Sequence, residues 1–426
     1  MAEWYVSSSR LDRNQRKFSD NRPYFISLRL VLSSHLEESR LDEAVRRVTR
    51  AVPILGCRYA GDERESGWKR QFPIQEYRIR ITDEAPERVP AYLLSLDPEP
   101  LPLQVVVCRR EDEDVLILSI DHTLTDAHGL FDLVRLIAET YRMLETVPDC
   151  TPRFLSCSSD RSHSALFSRL SYDTCRAAAK REAARRDGIS AYQKFFSLAA
   201  EGTSEQGLCC QEICQDDLVM LKETAHEAGA TIHDILLAIY GIVLREYVFQ
   251  ETRERLPVVP LRSSMDLRKY YPPDVQPVLT NCSISYWAPV SFSNTAETYA
   301  SVLRNVCRKS ACTKRYFLGI GTAFGIEEPS FAESEPYQDT GYYLTPFLSN
   351  VGVLPEDAVD FGEEIRIRDA CIYANFRSGN PWFITALTWN GVLHLTICTD
   401  RQHDLAKWIL KRFCGVVQEI GGMRRS

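Results

Sequence analysis

"LSIDHTLTDAHGLFDLVRL", residues 118–136, runs from an apolar strand into a His, an Asp four residues later, a second His and then a helix. Residues 115–120 are too apolar and too short for anything but a buried strand, so His122 lies just past its carboxyl end and ahead of a helix N-terminus. Ligands of α/β sheets gather at that place. A neutral imidazole there can accept a proton, because its ordinary pKa of about 6.5 lies near neutral pH. Asp126 lies past the turn and can cap the helix, orient the loop or pair with a distant Arg. On spacing alone, a single His at a strand end is more often a satisfied structural residue than a catalyst.

Working outward, "LPLQVVVCRREDEDVLILSIDH" reads as strand, acidic turn and strand, a hairpin with Glu111–Asp114 at its tip. Leu130, Leu133, Val134, Ile137, Tyr141 and Leu144 fall at helical spacings and predict a helix of about four turns. Upstream, "PYFISLRLVLS" predicts a strand, and "LDEAVRRVTRA" a helix with Leu41, Ala44, Val45 and Val48 on its apolar face, stopped before Pro53. Residues 145–165 read as irregular connection, and "CRAAAKREAARRDG" as a charged, mostly solvated helix. Two helices broken at Gly229 follow, the second opened by Thr231 and Asp234 as a weak capping box. His233 reads as an ordinary first-turn residue. "LPVVPLR" and "CSISYWAPV" predict strands, the runs around Asn390-Gly391 a hairpin, and "HDLAKWILKRFCGVVQEI" a last helix. Aromatic residues in 314–348 line an acceptor pocket or simply pack a core. The division expected is an amino-terminal lobe at 1–165, a connecting segment at 166–210 and a carboxy-terminal lobe at 211–426.

The 426 residues, 44% hydrophobic and 26% charged, are an ordinary globular composition. A net charge of −7 with dispersed Lys and Arg argues against nucleic acid as a partner. There is no signal-peptide core at the start and no run long enough for a membrane span, so a cytoplasmic protein is expected. The 14 Cys match no zinc pattern and are expected to be mostly reduced and buried; no metal-ligand cluster is visible.

"DHTLTDAHG" resembles the HxxxD signature of the acyltransferases with the chloramphenicol-acetyltransferase-like fold, among them nonribosomal peptide condensation domains, the plant BAHD enzymes, alcohol acetyltransferases and polyketide-associated acyltransferases. Further landmarks occur in order. "LDEAVRRVTRAVPILGCRY" looks like the family's first helix and its exit, and "GATIHDILLAIYGIVL" like the helix opening the second lobe. "MDLRKYYPPDVQPVLTN" is similar to the "vDLR…N" segment of the alcohol-acetyltransferase branch, "FLSNVG" to a late "SNxG" stretch, and "TWNGVLHLTICTD" to the closing hairpin. Two positions depart from the common HHxxxDG: Asp121 stands where the first His often does, and Ala127 where Gly is usual. The plant "DFGWG" motif is only partly echoed by "VDFGEE".

The resemblance implies an α/β fold of two lobes, each a mixed sheet flanked by helices, with a channel at their interface. It implies acyl transfer from a thioester, acyl-CoA first, to a hydroxyl or amine, with His122 as general base and no covalent acyl-enzyme. Asp126 would be structural, paired with Arg268 or, as second choice, Arg262, and Gly129 would supply the flexibility that Ala127 lacks. Ser349 and Asn350 are candidates for oxyanion or substrate contacts, a turn-forming role for Asn350 standing beside this, and His128 is a candidate substrate contact. No bound cofactor and no metal are implied, and a monomer is expected. Two other readings stay open: a condensation enzyme whose donor rides on a carrier protein's phosphopantetheine arm, and a non-catalytic binding protein of the same fold, which Ala127 favours.

Overall fold

The computed structural model describes residues 5–17, 24–61, 65–70, 79–96, 100–153, 161, 163–168, 170–196, 207–275, 277–292, 303–308, 318–328, 345–375, 381–399 and 402–425. The first half contains β1 (Tyr5–Ser7), α1 (Arg10–Lys17), β2 (Phe25–Leu32), α2 (Glu38–Ala51), β3 (Cys57–Gly61), β4 (Ser66–Arg70), β5 (Arg80–Thr82), α3 (Val89–Ser95), β6 (Leu103–Arg109), β7 (Asp114–Asp121) and α4 (Ala127–Thr146). After α5 (Ser164–Phe167) and α6 (Tyr172–Ile189) come β8 (Gly207–Ile213), α7 (Gln215–Glu227), α8 (Ile232–Thr252), β9 (Val258–Val259), β10 (Arg262–Asp266), β11 (Ser283–Trp287) and β12 (Val290–Ser291). Then follow α9 (Leu318–Glu327), β13 (Phe347–Leu354), β14 (Ile367–Asn375), β15 (Phe383–Trp389), β16 (Val392–Thr399) and α10 (His403–Arg425).

Two mixed sheets organise these elements, as the α/β reading requires. One runs β14-β2-β7-β6-β5 and the other β11-β10-β13-β15-β16-β8. β7 is buried at every position, which is why its sequence shows no alternation. α2 and α4 cover one face of the first sheet with the stripes read from sequence, each fully buried Leu or Val contributing about 1.5–3 kcal/mol. In the second lobe, α8 and α10 pack with the sheet in a separate apolar cluster. α4 starts at Ala127 rather than near 130, because Asp126 caps it, and its 20 residues make about five and a half turns.

The lobes interlock. β14, late in the chain, pairs antiparallel with β2 of the first lobe, placing Tyr373 opposite Ser27. Leu354, Val359 and Phe361 join the first lobe's core, while Leu11 of α1 belongs to the second lobe's. Turn chemistry is as the sequence predicts: Asn390 and Gly391 have φ of 44° and 76°, suited to a two-residue hairpin, and the Thr231/Asp234 capping box forms. Of the described Cys, nine are buried and none is in a disulfide.

α6 is a charged helix with most of its residues exposed or half-buried, as read, but Cys175, Ala178, Ala179 and Glu182 form a buried stripe of small residues and one acid against α9 that the sequence reading did not include. A Cβ at Gly321 of α9 would stand 2.6 Å from the Ala178 backbone, so only glycine permits this approach. Of the aromatic stretch 314–348, residues 314–317 and 329–344 lie outside the described residues.

Candidate active site

The β7–α4 turn places His122 beyond the carboxyl end of the buried strand, where its N–H donates to the Tyr24 carbonyl (3.0 Å). Its Nδ1 lies 3.0 Å from the Thr125 carbonyl oxygen. A carbonyl can only accept, so Nδ1 carries the hydrogen and the ring's lone pair is left on Nε2. The Asn281 amide, from the other lobe, donates to the His122 carbonyl (2.9 Å) and reaches within 3.3 Å of Nδ1. Tyr24 packs its ring 5.1 Å from the imidazole. An edge of His122 remains accessible while the surrounding protein is dense, and burial therefore lowers its pKa below the usual 6.5, against an upward pull from Asp126. The imidazole is neutral at pH 7.

Asp126 is in a different situation. Its Oδ1 accepts the N–H groups of His128 (3.1 Å) and Gly129 (3.3 Å), capping α4. Its Oδ2 accepts Arg268 Nη1 and the Cys282 N–H, each at 2.7 Å, from the second lobe. Burial pushes its pKa up, but the Arg268 charge and these hydrogen bonds outweigh it, and the carboxyl is held below its ordinary range. Arg268 also binds Asp266 and the Thr280 carbonyl. Arg262 is elsewhere, bonded to Ser285 Oγ (2.6 Å) and stacked 4.9 Å from the Trp287 ring centre.

A cavity of about 90 Å³ lies between the sheets, walled by His122, Ala127 and His128 of the motif, Ser264, Ser349 and Asn350 of the second sheet, and Ile372–Ala374 of β14. Ser349 Oγ is 3.0 Å from Ser264 Oγ. Asn350 Oδ1 accepts the Gly352 N–H (3.1 Å) at a bulge in β13, so its turn-forming role is visible. His128 is half exposed, 3.8 Å from Asp266. Gly129 acts sterically: a Cβ there would lie 1.9 Å from Thr125 Oγ1, so the missing side chain gives Thr125 its place, and no freedom of backbone angle is involved. A wider cleft of about 1230 Å³, lined by Arg80, Arg88, His403 and Lys407 among others, touches no motif residue. Of the two, the small cavity is the one that His122 lines.

Three supports went unassigned at the level of sequence. Arg161, wholly buried, binds Asp12 of α1 (2.9 and 3.0 Å), the Leu124 carbonyl (2.7 Å) and the Leu279 carbonyl (2.8 Å), joining the amino-terminal helix, the His122 loop and the second lobe. Nothing in the irregular stretch around it marks it out. Asp121 pairs with Arg16 (3.1 Å) and accepts the Thr123 N–H (2.9 Å), so the residue standing in place of a first His braces the loop. Asn281 was within reach of sequence reading, being the final residue of "MDLRKYYPPDVQPVLTN".

No protein family's sequence profile matches the chain, and no curated protein matches it significantly by sequence. Solved structures do match. Polyketide synthase associated protein 5 from Mycobacterium tuberculosis is 16% identical, with a TM-score of 0.67 over 97% of this chain and 99% of that one. The first condensation domain of the CDA synthetase is 14% identical, with a TM-score of 0.66 over 98% and 96%. TRI3 trichothecene 15-O-acetyltransferase from Fusarium sporotrichioides is 12% identical, with a TM-score of 0.65 over 96% and 95%. The chain therefore has the two-lobed, chloramphenicol-acetyltransferase-like fold of these condensation and acyltransferase structures.

Proposed function

We propose that this protein transfers an acyl group from a thioester to a hydroxyl or amine acceptor, with His122 as general base. The observation that carries this reading is the Thr125 carbonyl on Nδ1, which fixes the tautomer and leaves the basic Nε2 to a neutral imidazole in the wall of an inter-lobe cavity. Nε2 takes the acceptor's proton as its oxygen or nitrogen attacks the thioester carbonyl, and the imidazolium returns that proton to the departing sulfur. A positioned base of this kind contributes about 10²- to 10⁴-fold. Ser349 Oγ and the Asn350 side chain, on the opposite wall, are the groups to donate to the oxyanion, and His128 is placed to touch substrate at the rim. About 90 Å³ accommodates the reacting atoms but not a whole acyl thioester, so both substrates must extend out of the cavity.

Acyl-CoA is the donor of first choice. The likeness to a condensation domain favours a second reading, in which the same thioester arrives on a carrier protein's phosphopantetheine arm. The Ala127 methyl in the cavity wall is the one feature favouring a binding protein without turnover. A thiol-release assay with a panel of acyl-CoAs, then loaded carrier proteins, against short alcohols and amines distinguishes the three. Release that depends on His122 is the expected result; no release above background from any donor would leave the binding reading standing.

A further inference from the structure

We propose that Cys210 and Cys371 are a redox pair, two thiols that close into a disulfide across the seam between the two sheets when a small disulfide enters the wide cleft beside them. The strand registers bring them together. Cys210 on β8 stands directly opposite Thr396 on β16, and Thr396 Oγ1 donates to the Ile372 carbonyl of β14 at 2.6 Å. Farther along, Cys398 Sγ lies 3.6 Å from Asn375 Oδ1, so β14 runs beside β16 with Asn375 facing it. Side chains two apart on a strand share a face. Tyr373 packs with Leu208 and Cys398 in one apolar cluster, so Cys371 and Cys210, two residues from Tyr373 and Leu208, lie on the same facing surfaces. The two thiols are hydrogen-bonded to each other.

Their surroundings divide the work. Cys210 is exposed and lines the cleft of about 1230 Å³, whereas Cys371 is buried. Arg29 on β2 is directly opposite Cys371 in the β14–β2 register, and its guanidinium bonds the Cys371 sulfur. The hydrogen bond from Cys210 and the Arg29 charge outweigh burial and hold the Cys371 thiol below its ordinary pKa, whereas burial pushes the thiols of Cys108 and Cys307 up to about 11 and about 12. The exposed thiol is the point of access and the thiolate behind it is the resolving group. Cys210 attacks one sulfur of the small disulfide, forming a mixed disulfide and expelling one thiolate; the Cys371 thiolate then attacks the Cys210 sulfur and expels the second. The protein loses two electrons and two protons, and the small disulfide takes up both to become two thiols. The cleft's mixed charge, Arg80, Arg88 and Lys407 with Glu84 and Glu87, suits a zwitterionic disulfide such as oxidised glutathione. Ile372–Ala374 of β14 wall the cavity at His122, so the link would tie that wall to β8. This inference stands independently of the acyl-transfer reading.

Oxidised glutathione tests it on the full, reduced chain. After incubation, the remaining thiols are capped under denaturing conditions and the digest is mapped by mass spectrometry. The expected product is a pair of peptides linked through Cys210 and Cys371, reopened by dithiothreitol. Cys371→Ser removes the resolving thiol and should stop the reaction at a stable glutathione adduct on Cys210. Cys210→Ser, at an exposed position, provides a second reading if the buried variant folds poorly: Cys371 should then stay reduced, and a glutathione adduct on it would overturn the division of roles. In the wild type, a lasting glutathione adduct on Cys210, a link from Cys210 to Cys209 or Cys214 in place of Cys371, or both thiols still capped after excess oxidant would each overturn the pair.

Discussion

His122 and Asp126 stand four residues apart on one turn, and that turn gives them opposite surroundings. The imidazole spends one nitrogen on a backbone carbonyl and keeps the other's lone pair at a cavity wall. The carboxylate has both oxygens filled by four donors, two from its own helix and two from the other lobe. A polar group whose bonding capacity is saturated in the resting protein is a clasp; one with capacity left over beside a cavity can react. The HxxxD spacing thus splits into a structural half and a reactive half, and substitutions can show whether the split is real.

The largest effect is expected at the clasp. Asp126→Ala removes the partner of a mostly buried guanidinium, which costs about 3–5 kcal/mol, and urea unfolding should show it together with loss of activity. The sign of the pH dependence follows from the lowered carboxyl pKa: the contribution is complete above the unfolded value of about 3.9 and disappears as pH falls through the folded value. His122→Ala should stay folded, with a urea midpoint closer to wild type than that of Asp126→Ala, and lose about 10²- to 10⁴-fold in thiol release. In the wild type, the acid limb of kcat/KM should lie below 6.5, because burial lowers the histidine's pKa. Equal loss of stability in both variants, without a rate defect specific to His122, would erase the distinction.

A smaller effect probes how the reactive half is held. In Gly129→Ala the new methyl meets Thr125 Oγ1 at 1.9 Å and the Thr125 Cβ and Cγ2 at 3.0 Å, so the residue whose carbonyl fixes the imidazole must move. Overpacking of this kind costs about 1–3 kcal/mol. Activity should fall with it, and Thr125→Ala in the same chain should recover part of both by removing Oγ1 and Cγ2. A variant destabilised but with unchanged kcat would show that the Thr125 carbonyl does not orient the base.

What the sequence made legible follows the same division. The strand, the turn and the α4 stripe were readable because β7 and α4 announce themselves by continuous and 3.6-residue apolar patterns. The Asp126–Arg268 pair was reachable only through the resemblance, since 142 residues separate the partners and no local pattern links them. Arg161 was invisible for a related reason: it binds backbone carbonyls and an aspartate 149 residues away on α1, and an arginine in an irregular stretch looks the same whether solvated or buried. α6 misled because its buried stripe consists of Cys, Ala and Glu, residues that do not register as an apolar face.

That stripe supplies a second buried carboxylate to set against Asp126. Glu182 accepts the Trp287 N–H, but its nearest cation, Arg185, is 3.8 Å away, and burial pushes its pKa up to about 7. Asp126, equally enclosed but gripped by Arg268, goes the other way. A raised folded pKa means stability that is complete below the unfolded value of about 4.3 and is lost as pH rises through 7. Glu182→Gln keeps an oxygen to accept the Trp287 N–H and removes the titration. Its stability relative to wild type should rise by on the order of 2 kcal/mol between pH 5 and pH 8, as read by urea unfolding at the two pH values. A fall over that range would mean that the ionised Glu182 is held by its arginine neighbours as Asp126 is by Arg268, and that enclosure alone does not decide which buried acid stays protonated.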